Sequence, residues 1–276
     1  MEVRRATAGE TVVETARVTF ALFVRSLKRT VRRPVFLTIS LFQPLVWLFL
    51  FSQVMKNFAK ASLPPGVSYV TLFAPAVMLQ TIMFGSFQSG MAMVSDIEFG
   101  LMDKFLVSPI NRTAILLGRT LADGARMFVQ GLIIIVLSMA LGVRFVHGPQ
   151  GVLAALLLAV VFGLGLSSLS NTVALRTKNS ETTLMVMNFF LFPLLFMSPA
   201  LVPRQALPSW VVAIGRINPV AYAVEGARNL MVGIVEHGAL RTSVDWGQLG
   251  LAVLFLLGVA VLGMTLARMA FRKATT

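Results

Sequence analysis

The sequence predicts an all-α protein threaded several times through a membrane, and three observations carry that prediction. The chain is 57% apolar and only 13% charged, with a mean hydropathy of +0.82. A soluble domain carries about a quarter charged residues, so this composition cannot cover a water-facing surface. Six stretches approach the roughly 20 apolar residues that a helix needs to cross hydrocarbon. Most of these stretches are apolar all round, whereas a helix of a soluble bundle alternates an apolar stripe with a polar one.

The first element is amphipathic. Across residues 11–33, Val13, Ala16, Phe20, Phe23, Val24, Leu27 and Val31 recur at steps of three and four. Arg17, Arg25, Lys28, Arg29 and Arg32 fill other positions. The pattern predicts a helix lying in the membrane interface, with Arg25, Lys28 and Arg29 facing anionic lipid. It serves equally as an anchor or as a docking element. No apolar core followed by a cleavage site precedes it, so no signal peptide is expected.

Six spans follow, at about 35–55, 69–94, 127–143, 152–171, 183–202 and 249–270. Pro44, Pro75 and Pro193 fall inside them, where neighbouring helices can satisfy the freed carbonyls. Residues 207–235 fit no span, because Arg216, Asn218, Pro219, Glu225 and Arg228 interrupt the apolar run. That region is a seventh span or a pair of short helices that dip in and return. Charge decides between them. With six spans and a cytoplasmic N-terminus, 17 of the 24 Lys and Arg residues lie inside and seven outside. This matches the positive-inside rule. A seventh crossing would carry Arg268, Arg272 and Lys273 to the outer side. The expected architecture is therefore one transmembrane domain over residues 1–276, with both termini cytoplasmic and re-entrant outer helices before the last span. There, Asn218 would cap a helix with Pro219 at its first position, and Glu225 would pair with Arg228 three residues on.

The loop after the second span reads DIEFGLMDKFLVSPI, residues 96–110. It gathers three of only 11 acids in the chain. At 100° per residue, Asp96, Gly100, Asp103, Lys104 and Val107 share one side of a helix. Ile97, Leu101, Met102, Phe105 and Leu106 share the other, Glu98 falls among them, and Pro109 ends the element. The prediction is a short amphipathic helix over 96–107 on the cytoplasmic surface. A solvated interfacial turn is the plain alternative. Two facts favour a second protein packing here: acids have little topological reason to gather on this side, and a carboxylate on the apolar face needs a partner.

Several classes of chemistry find no support. There is no cysteine, and the only histidines, His147 and His237, fall in outer loops. No HExxH or paired aspartates suggest catalysis or a metal, so no catalytic or metal-binding residue is assigned. No GxxxxGK[ST] loop is present to hold ATP. The net charge of +13 fits basic cytoplasmic loops better than nucleic acid. With the spans bounded as above, no charged residue lies deep in one. That weighs against an ion-driven carrier or channel and points to a neutral or amphiphilic cargo. Gln43, Gln80, Gln88 and Asn188 are polar at membrane depth, and Met185, Met187, Phe189, Phe190 and Phe192 surround Asn188. Such a mixture adapts to varied apolar cargo, although the same polar residues also bond helix to helix. Gly85 and Ser89, Ser86 and Gly90, and Gly163, Ser167 and Asn171 are spaced by four, which favours close helix contact.

Together, these features resemble the permease subunit of type-2 ABC exporters, in particular the daunorubicin-resistance type. The acidic motif reads Asp96, Glu98, Gly100, Asp103 and Pro109, and NRTAILLGRTLADGARM continues it. INPVAYAVEGARNLM, residues 217–231, resembles the Asn-Pro motif before the last span, with Asn218, Pro219 and Arg228 in place. The basic N-terminal helix resembles a connecting helix, and the likeness runs from about residue 15 to 272. One departure is Leu101-Met102, where the family often has Thr or Val followed by Leu. The resemblance implies that 96–107 is a coupling helix seated in a separate ATPase subunit, with Asp96, Glu98, Gly100, Asp103, Lys104 and Phe105 as its contacts. It implies two such subunits holding ATP and Mg, none held by this chain, and a second permease, identical or homologous. Between two permeases, Gln43, Gln80, Gln88, Met185, Asn188 and Phe192 are the candidates to line a substrate path, and the resemblance implies an outer gate at Asn218, Pro219, Glu225 and Arg228. Residence in a bacterial inner membrane follows, with a drug, antibiotic or lipid as cargo. A glycan or lipid-linked saccharide on the same fold is the alternative.

Overall fold

The computed structural model describes residues 8–31, 34–55, 68–100, 112–201, 204, 207–236 and 239–274. Among the described residues, the secondary structure is helical except for one small hairpin. The helices are α1 (Ala8–Val31), α2 (Pro34–Val54), α3 (Tyr69–Glu98), α4 (Arg112–Ala140), α5 (Gly148–Thr177), α6 (Ser180–Phe196), α7 (Ser209–Gly215), α8 (Pro219–Met231) and α9 (Trp246–Ala274). The antiparallel strands β1 (Ile234–Glu236) and β2 (Ala239–Arg241) lie between α8 and α9. The hairpin was not expected. Gly233, at φ +91°, ends α8 and lies so close to the Arg241 carbonyl that a β-carbon would collide with it.

Among the described residues, four helices are long and apolar enough to cross a membrane: Tyr69–Glu98, Leu117–Ala140, Gly148–Thr177 and Trp246–Lys273. Two shorter apolar helices, Leu41–Val54 and Ser180–Phe196, accompany them. At 17 residues, α6 rises about 26 Å, less than the roughly 30 Å of a hydrocarbon core. The seven-residue α7 and 13-residue α8 are each too short to cross alone.

Local sequence explains the boundaries. Ser68 caps α3 by accepting from Thr71 N at 3.3 Å. Gly148, at φ +57°, and Pro149 at the first turn open α5. Lys178 closes α5 in the left-handed conformation, and Asn179 immediately caps α6 by accepting from Thr182 N at 2.8 Å. Two residues thus reverse the chain.

α3 is the core of the bundle. The share of its apolar window buried within the chain is 78%, against 28% for α9. It packs against α2, α4, α5, α6 and α8, while α9 packs on α5 and α8. The core gathers Phe73, Val77, Met78, Leu79, Ile82 and Met83 of α3 with Met127, Phe162, Leu191 and Val224 of its neighbours. The small residues work as their spacing suggests. A β-carbon on Gly163 would stand 2.5 Å from Ile82 Cγ2, and Ser86 Oγ donates to the Gly163 carbonyl at 2.9 Å. The face of α1 bearing Thr19, Leu22 and Phe23 lies on Gly118 of α4, with Arg17, Phe20 and Lys28 exposed. α1 is therefore held by the bundle as well as being amphipathic.

Candidate coupling and gating sites

Residues 96–98 form the last turn of α3 rather than the start of a separate helix. Gly100, at φ +64°, stops the helix, and residues 101–111 lie outside the described residues. Asp103, Lys104 and Phe105 are among them. The positions of Asp96 and Glu98 reverse the expectation. The Asp96 side chain is 13% exposed and accepts from Arg119 Nη1 at 2.5 Å, while Glu98 is exposed. The reason is that 96–98 continues the helical phase of α3 and inherits its buried side.

Arg119 opens onto a buried polar network that the sequence reading missed. Its Nη2 donates to the Ser89 carbonyl at 3.0 Å. Ser89 Oγ makes a short hydrogen bond to Asp123 Oδ2 and lies 3.2 Å from Asn171 Oδ1. Ser167 Oγ donates to Asp123 Oδ2 at 3.2 Å. Arg126 Nη2 lies 3.0 Å from Asp123 Oδ1 and donates to the Gly85 carbonyl at 2.7 Å. Three helices thus meet through one carboxylate. The expectation that no charge lies deep in a span meets a longer helix here: α4 begins fifteen residues before 127, and its candidate span, Leu117–Ala140, includes Arg119, Asp123 and Arg126 near its start. A signal was present, because these three stand at i, i+4 and i+7, on one helical face.

The opposite end of α3 carries a second polar site. α6 ends at Phe196, and residues 197–200 turn irregularly. Freed carbonyls there need donors. Asn218 Nδ2 donates to Leu194 O at 2.7 Å and to Met197 O at 2.9 Å. Arg228 donates to Pro199 O at 2.5 Å, Ala200 O at 3.0 Å and, from Nε, to Leu72 O at 2.8 Å. Tyr69, which the sequence reading passed over, donates to Leu201 O at 2.6 Å. Asn218 also caps α8, accepting from Val220 N at 2.9 Å, with Pro219 in the first turn. The expected Glu225–Arg228 pair is not the contact made. Glu225 pairs with Arg204 at 3.3 Å and accepts from Gln248 Nε2, because the carbonyls already occupy the Arg228 guanidinium.

Two further clamps tie this end together. The amide of Asn229 donates to Asp245 O at 2.8 Å and accepts from Asp245 N at 3.1 Å, fixing the start of α9. The ring of His147 lies between the Leu230 carbonyl, 3.0 Å from Nδ1, and the Thr242 carbonyl, 2.5 Å from Nε2.

The residues expected to line a path differ in their burial. Gln80 is buried in the core, and Gln88 is part-buried with an Oε1 that has no hydrogen-bond partner among the described residues. Gln43 is exposed on α2 and Asn188 part-buried on α6, while Met185 and Phe192 are exposed beside Phe189 and Phe190. Arg25 and Lys28 are exposed on α1, whereas the Arg29 side chain lies outside the described residues.

Residues 17–232 match the family described as ABC-2 type transporter. The chain belongs to that family. It is 30% identical over 200 residues to the daunorubicin resistance ABC transporter permease protein DrrB1 of Streptomyces coeruleorubidus, covering 72% of this chain and 70% of that one. It is 27% identical over 192 residues to the provisionally named doxorubicin resistance ABC transporter permease protein DrrC of Mycobacterium tuberculosis, covering 69% of this chain and 68% of the other. A provisionally named transport permease, ycf38 of Pyropia yezoensis, is 26% identical over 243 residues, 87% of this chain and 83% of its own. The chain is thus an ABC transporter permease, the membrane component of its transporter.

Proposed function

We propose that this permease carries a hydrophobic or amphiphilic small molecule, such as a drug, antibiotic or lipid, out across a bacterial inner membrane. The likeness to a daunorubicin resistance permease over 72% of the chain carries this reading. The energy comes from two separate ABC ATPase subunits that hold ATP and Mg. A second permease, the same or homologous, completes the path.

In this reading, α2, α3, α4, α5, α6 and α9 are six spans, and both termini are cytoplasmic. The asymmetry of 17 basic residues inside against seven outside supports it. So does the length of α7 and α8, since two short helices suit a region that enters the outer leaflet and returns. The segment 197–201 extends α6 to the membrane surface. Glu98, Asp103 and their neighbours receive the motor, and its ATP-driven closure switches access between the two sides. Exposed Phe189, Phe190, Phe192 and Met185 on α6 suit an apolar cargo passing between two permeases.

Co-purification from the native host in mild detergent tests the reading. Wild type is expected to bring an ATPase subunit that a folded Glu98→Arg, Asp103→Arg double variant loses. Wild type that purifies without an ATPase yet transports in liposomes would overturn it.

A further inference from the structure

We infer that Asp96 and Arg119 form the link that carries motor movement into the bundle, leaving the motor contact itself to Glu98. The inference rests on the exporter reading and divides one acidic motif into two jobs.

The geometry makes the division. Residues two apart on a helix point about 200° apart. Asp96 therefore turns to the bundle when Glu98 turns to solvent. The Asp96 carboxylate, 13% exposed, holds Arg119, itself 17% exposed. Glu98 stands exposed two residues before the glycine that ends α3. A push delivered at Glu98 reaches the last turn of α3 first. From there, the Arg119 guanidinium bridges α3 to α4, because one nitrogen takes Asp96 and the other takes the Ser89 carbonyl.

Ser89 passes the linkage on. Its hydroxyl lies between Asp123 of α4 and Asn171 of α5, and Asp123 holds Ser167 and Arg126. Moving the end of α3 against α4 without moving α5 would break several of these bonds at once. Such a buried network has few intermediate arrangements, so the three helices respond as a unit. Asp96 and Arg119 are positioning residues here: they act through α3 and α4 and touch neither nucleotide nor cargo.

The chain has no cysteine, which permits a clean readout. Ile217, 74% exposed between α7 and α8, is changed to Cys and labelled with a maleimide in the complex with its co-purified ATPase. Labelling rates are compared with and without MgATP plus vanadate. Asp96→Asn and Arg119→Gln are expected to recover the ATPase within about twofold of wild type. Their nucleotide-dependent change in labelling should fall roughly tenfold. Glu98→Arg should lose the ATPase itself. Asp96→Arg with Arg119→Asp controls for misfolding and should regain part of the labelling response that either single change abolishes.

Loss of the ATPase from Asp96→Asn, as from Glu98→Arg, would overturn the division of roles. A full labelling response in both Asp96→Asn and Arg119→Gln would overturn the link. A wild-type chain that recovers no ATPase would instead remove the exporter reading, and this inference with it.

Discussion

Buried arginines stand at both ends of α3, and they are satisfied in opposite ways. Near Glu98, Arg119 and Arg126 meet the carboxylates of Asp96 and Asp123 on regular helices. Near the α8 end, Arg228 meets three backbone carbonyls: Leu72, Pro199 and Ala200. The difference follows from the backbone. A regular helix uses its own carbonyls, so a cation buried there must bring an anion. Where α6 stops short, unpaired carbonyls remain, and a cation with several donors answers them. One end is a charge problem solved with charge, and the other is a backbone problem solved with charge.

This contrast orders the effects of substitution. Asp123→Ala leaves Arg126 buried without its carboxylate and should cost about 3–5 kcal/mol, measured by unfolding in mixed micelles. Replacing the pair together, as Asp123→Leu with Arg126→Met, should cost far less than the single change. A double variant as unstable as the single would break the charge account.

Arg228→Ala removes the cation together with its need for partners, and only dipoles are left unpaired. Its expected cost is smaller, about 2–3 kcal/mol, with amide exchange rising first at 197–201. Asn218→Ala loses a helix cap and two carbonyl contacts, for about 1–2 kcal/mol on the same assay. Arg204→Ala breaks a pair whose arginine is 48% exposed, and it should change stability by less than about 1 kcal/mol. An Arg204 variant as damaging as the Asn218 variant would show that this surface is more tightly sealed than its exposure suggests.

The helical class and the apolar segments were legible because hydrocarbon permits little else over such lengths. The Asn218 cap was legible too, since Asn-Pro before an apolar run has a local meaning. The inner network was not. Three charges lower the hydropathy of LGRTLADGARM, so apolar length alone starts the span near Met127, and only the shared face of those charges reveals the longer helix. The phase of Asp96 and Glu98 was lost for a related reason. A helical wheel drawn from residue 96 knows its own period but not the helix it continues. The partners of Arg228 were beyond reach, because carbonyl acceptors leave no trace in side-chain sequence.

The three carbonyls that hold Arg228 have one more property in common. Leu72, Pro199 and Ala200 all precede it in the chain. A ribosome releases segments in order, so every acceptor for this guanidinium has been made before the arginine emerges. α8 is too short to insert as a span of its own, and its charge makes lipid a poor waiting place. Its acceptors are made before it. A permuted chain that made α8 before α3 and α6 would keep every native contact and lose that order.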